Sequence, residues 1–102
     1  MKEKYTVLIG ALMMDPRTQI YNETSDSITL GLSNAGGTTL FNLSQYFGFI
    51  KIQWKVDSPL FGKHKIEWDF PENQDQNEII KKIEFDLGNY QRNIIANLKP
   101  TK

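Results

Sequence analysis

Apolar and polar residues alternate with a period of two over two stretches past the middle of the chain, and with a period near 3.6 over one long stretch towards its end. From Phe49 to Val56, the residues Ile50, Ile52, Trp54 and Val56 fall on one side and Lys51, Gln53 and Lys55 on the other. From His64 to Phe70, the residues His64, Ile66, Trp68 and Phe70 face one way and Lys65, Glu67 and Asp69 the other. Each pattern predicts a strand with one wet face. The turn Asp57-Ser58-Pro59-Leu60-Phe61-Gly62 between them predicts that the two strands pair, with Lys51 or Lys55 opposite Glu67 or Asp69. Exposed pairs of this kind help register more than stability.

The longer period runs from Asp75 to Leu98 and predicts one amphipathic helix. Ile79, Ile83, Leu87, Tyr90, Ile94 and Leu98 form its apolar stripe, with Ile80 at the edge. Asp75 followed by Glu78 has the form of a capping box, and Glu78 with Lys82 is a favourable i, i+4 pair. Gly88 costs roughly 1 kcal/mol relative to alanine inside a helix. Its presence implies either close packing on a sheet or a break, and the unbroken helix is the preferred reading. Pro100 ends any useful continuation. Phe85 falls on the polar side of this helix, away from the stripe.

Before these elements, Tyr5 to Met13 is a near-continuous apolar run, read as a buried strand with Gly10 at a bulge. Asp15-Pro16-Arg17-Thr18 is a turn, Gln19 to Asn22 a short strand, and Asn22 to Asp26 a loop. Ile28, Leu30 and Leu32 alternate with polar or small residues from Ser27 to Ser33. Asn34-Ala35-Gly36-Gly37 then suits a hairpin into Thr38 to Ser44, with Phe41 and Leu43 towards the core. The rival reading for residues 39–47 is a short helix, with Leu40, Leu43 and Phe47 at i, i+3 and i+7, Thr39 as cap and Gly48 as stop. Taken together, the elements predict a single α+β domain over residues 1–102, an antiparallel sheet of about five or six strands packed on one long C-terminal helix.

Composition narrows the partners. Twelve basic and twelve acidic residues cancel, so the chain lacks the electrostatic footprint of nucleic-acid or anionic-membrane binding. The absence of cysteine leans towards a reducing compartment, and a cytoplasmic location is expected. Met1-Lys2-Glu3-Lys4 before an apolar run superficially resembles a secretory signal. Glu3, the missing small residues at a cleavage site and Asp15-Pro16 favour a first strand instead. No run approaches the length of a membrane span.

One feature stands out: the 24 residues from Ser27 to Ile50 contain no charge, where the chain's 24% charged content would place about six. A central hairpin covered by its neighbours explains this, and so does an interface, whose core is depleted in charge. Tyr46, Phe47 and Phe49 sit at the end of that span and, with Phe85, are the candidate protein-contact residues.

Candidate chemistry is thin. His64 is the only histidine, so no multi-histidine metal site can form, and a hydrogen-bonded structural role is its plainer reading. No serine sits in a nucleophile elbow, and Gly36-Gly37 lacks the residues of a phosphate loop. Glu67 with Asp69 and Glu84 with Asp86 are spaced as solvated charge. No catalytic residue, metal or cofactor is expected. The pattern favours a non-enzymatic interaction module that associates with itself as a homodimer or with another protein. A rival is a small apolar ligand enclosed by Trp54, His64, Trp68 and Phe70, and a weaker one is an enzyme using His64 as acid or base.

Overall fold

The computed structural model describes residues 3–14, 16–34, 36–59 and 62–98, with side chains of the last helix described as far as Asn93. Five strands, β1 (Gln19–Glu23), β2 (Ser27–Asn34), β3 (Gly37–Tyr46), β4 (Phe49–Ser58) and β5 (Gly62–Pro71), form one antiparallel sheet in sequence order. Helices α1 (Thr6–Leu12) and α2 (Gln76–Leu98) cover one face of it. The alternation read from the sequence sets the register: Ile28, Leu43, Ile52 and Trp68 lie in one row across β2 to β5, and Leu30, Phe41, Trp54 and Ile66 in the next. These rows meet Tyr5, Leu8 and Ile9 of the N-terminal segment and Ile79 and Ile83 of α2 in a single core.

One expectation is corrected. The run from Tyr5 to Met13 is not a strand: it holds α1, and Gly10 lies within that helix with open space where a side chain would project. The buried Tyr5, Leu8 and Ile9 with the part-buried Leu12 stand at i, i+3, i+4 and i+7, a helical stripe that exposed Val7 and the small Gly10 and Ala11 disguise as a continuous apolar run. Gln76 completes the helix. Its Oε1 accepts the Leu8 N–H and its Nε2 donates to Lys4 O, both at 2.8 Å, so a side chain from the first turn of α2 satisfies an otherwise unpaired N–H of α1. For residues 39–47 the strand reading holds over its helical rival, and the strand extends past Ser44: β3 runs through to Tyr46, with Phe41 and Leu43 facing the core in register with both neighbours.

α2 is unbroken at Gly88, yet close packing does not explain that glycine. A β-carbon built there meets nothing nearer than the Arg92 guanidinium at 3.8 Å. The helix start also differs in detail: Asp75 Oδ1 accepts from Asn77 N–H at 2.9 Å, and Lys82 pairs with Asp86 at 3.3 Å rather than with Glu78. Across the sheet, Lys51 meets Asp69 at 3.3 Å as expected, while Lys55 stands opposite Lys65. Asp15, Ala35, Leu60 and Phe61 of the expected turns, the side chains of Ile94 and Leu98, and Pro100 lie outside the described residues. Among the described residues no helix is long and apolar enough to cross a membrane.

The face away from the helices has one close approach. A register shift between Ile20 and Asn22 bulges β1 at Tyr21, whose ring lies over Gly31. A β-carbon at Gly31 would come within 2.4 Å of that ring and 2.6 Å of Leu40, so only glycine lets Tyr21 reach across β2.

Candidate protein-binding surface

The β3–β4 hairpin closes through Phe47 and Gly48 between the paired Tyr46 and Phe49. Gly48 has φ +85°, a backbone conformation that favours glycine. Tyr46 and Phe49 stack with ring centroids 5.0 Å apart and planes 13° from parallel. Phe47 projects beyond them, its relative exposure 103%.

Gln45, not singled out from the sequence, holds this tip. It occupies an inward position opposite Ile50, where alternation with Phe41 and Leu43 calls for an apolar residue. Its Nε2 donates to Tyr46 O at 2.7 Å and Phe49 O at 3.0 Å, with Glu72 Oε1 at 3.3 Å. Its Oε1 accepts the Tyr5 hydroxyl, a partner set that assigns the amide orientation. Glu72 also donates its N–H to Gly48 O at 3.2 Å and pairs with Lys4 at 3.2 Å. The hairpin tip, the start of α1 and the β5–α2 connection are thus tied by one network. Burial raises the Tyr5 phenol above its usual range, with Lys4 opposing and Glu72 adding to the shift. The break in alternation at Gln45, a polar residue at an inward position, is the sequence signal that could have found it.

The other sequence-selected residues separate into two groups. Phe85, 65% exposed, lies on the outer side of α2, on a different element from the aromatic tip. Trp54, His64, Trp68 and Phe70 are brought together, as the surface on which α2 packs. Trp54 meets the Tyr90 ring edge-on at 5.8 Å, His64 Nδ1 and the Tyr90 hydroxyl are 2.9 Å apart, and Trp68 Nε1 donates to Asp86 Oδ2 at 2.8 Å. Phe70 is buried beside them in the core.

On the opposite face, a trough of about 520 Å³ runs over one end of β3, β4 and β5, lined by Thr38, Leu40, Lys55, Asp57, Lys63 and Lys65 among others. Beside it Lys65 pairs with Glu67 at 3.3 Å, and Gln53 donates to Glu67 at 2.6 Å. The Gln53 hydrogen bond, helped by Lys65, lowers the Glu67 carboxyl below its usual range. Comparison with known protein families, with curated proteins and with solved structures finds no match for this chain.

Proposed function

We propose that this chain is a non-enzymatic protein-interaction module whose binding element is the tip of the β3–β4 hairpin, an aromatic knob for an apolar pocket on a partner protein. The observation that carries this reading is Phe47, a fully exposed phenylalanine on a tight turn. Its support is stiff: the Tyr46–Phe49 stack and the Gln45 amide hold the backbone on either side of it. A knob already fixed in the binding conformation loses little entropy when it docks. The residues flanking it in the chain, Gln45 to Ile50, carry no charge, so burying them against a partner carries no charge-desolvation penalty of their own. Large aromatics at such positions dominate binding energy when a pocket excludes water around them.

A photoreactive phenylalanine analogue placed at position 47, and at exposed position 84 as control, would trap the partner. The trapped protein, once purified, is then titrated against the unmodified chain and against Phe47→Ser. Crosslinking specific to position 47, with binding weakened about tenfold or more by Phe47→Ser at unchanged melting temperature, supports the reading. Equal binding by Phe47→Ser overturns it. So does partition into phosphatidylcholine vesicles that Phe47→Ser abolishes, which would assign the knob to a lipid surface.

A further inference from the structure

The sheet has two edges, and they differ. β1 is five residues long, exposed throughout and bulged at Tyr21, all features that blunt an edge against pairing. β5 is ten residues long and pairs with β4 without a register break. Which of its backbone groups are free follows from the bonding elsewhere. Gln45 donates its N–H to Asp26 O on the β2 side, and Glu72 donates to Gly48 O on the β4 side. Carried through the register, this alternation turns the even-numbered residues of β5 towards β4. The N–H and C=O groups of Lys63, Lys65, Glu67 and Asp69 point out of the sheet.

Along that edge the exposed charges run Lys63, Lys65, Glu67, Asp69, two cations followed by two anions. An antiparallel copy centred on Ile66 sets Lys63 opposite Asp69 and Lys65 opposite Glu67, and a two-fold axis repeats both pairs. These four positions are the ones with outward backbone groups, so the same register supplies about eight backbone hydrogen bonds between the chains. On the helix-covered face, the part-buried Ile66 meets its own copy at a position without hydrogen bonds, where side chains approach most closely. Sliding the copy by two residues sets Lys65 against Lys65 or Glu67 against Glu67. Sliding it by one puts charge opposite apolar residues on the wrong face. Parallel, in-register pairing stacks like on like. The charges have partners within the chain in Lys65–Glu67 and Lys51–Asp69, while Lys63 forms no ion pair among the described residues, so the second copy adds to this network.

We infer that this chain forms a two-fold dimer in which β5 pairs antiparallel with β5 of a second copy about Ile66, joining two five-stranded sheets into one of ten strands. The inference stands whether or not Phe47 binds a partner. In such a dimer the two aromatic tips lie at opposite ends, since the β5 terminus beside Gly48 in one copy adjoins the β5 start of the other. A partner carrying two pockets would then be held by both tips.

Sedimentation velocity on four samples tests this: the wild type, Lys63→Glu/Lys65→Glu, Glu67→Lys/Asp69→Lys, and an equal mixture of the two double variants. Circular dichroism checks that each is folded. The expected result is a dimer for the wild type, monomers for each double variant alone, and a dimer restored in the mixture. Lys65→Pro removes an outward N–H that β4 does not use, and is expected to be folded and monomeric. A wild type that stays monomeric throughout the micromolar range overturns the inference. Dimers that persist in both double variants, or a mixture that remains monomeric, overturn it as well.

Discussion

Trp68 donates its indole N–H to the Asp86 carboxylate at 2.8 Å, joining β5 to the middle of α2. Trp68 is buried, so the indole nitrogen has little access to water if that acceptor is lost. Asp86→Ala is expected to destabilise the fold by about 1–3 kcal/mol, the cost of an unsatisfied buried donor. Asp86→Asn, which keeps an acceptor, should lose less. Urea unfolding followed by tryptophan fluorescence measures both.

Gly88 lies in α2 with open space at its β-carbon position. Gly88→Ala is therefore expected to stabilise the protein by up to about 1 kcal/mol, the difference in helix propensity. Thermal melts compared with the wild type would show a raised midpoint, and a lowered one would mean that Gly88 serves some close approach.

Gly31 has the opposite character, because a β-carbon there runs into the Tyr21 ring and Leu40. Gly31→Ala should displace Tyr21 and cost about 1–3 kcal/mol, as overpacking does. The loss should shrink in a Tyr21→Ala background, which a double-mutant cycle would reveal.

The Tyr5 phenol is raised mainly by burial. A group whose folded value lies above its unfolded value, about 10 for tyrosine, contributes stability that is fully present below the unfolded value. That contribution is lost as pH rises through the folded value. Unfolding free energies measured from neutral to alkaline pH should therefore fall more steeply for the wild type than for Tyr5→Phe. Tyr5→Phe also removes the hydrogen bond to Gln45 and should cost about 1 kcal/mol at neutral pH.

Much of the architecture was legible in the residues. Ile50 to Val56 and His64 to Phe70 needed only their period of two, and the stripe of Ile79 and Ile83 needed only 3.6. Phe85 was placed outward by the same count, and it is outward. At Gly88 the unbroken helix was read correctly, whereas the run at Tyr5 misled because it was judged locally. The helix tolerates Gly88 through packing elsewhere along its length, and α1 forms because the sheet face beside α2 offers a surface that a seven-residue helix can cover.

Periodicity alone determined β2, β4, β5, the long helix and the sides on which their side chains fall, because a fixed backbone repeat converts spacing directly into facing. Tertiary structure decided what touches across elements. It set the Gln45 amide under the aromatic tip, the Gln76 side chain on α1, and Trp54, His64 and Trp68 against α2. It also decided which strand edge is left unpaired. These contacts join residues far apart in the chain, and no local period encodes the distance between two elements.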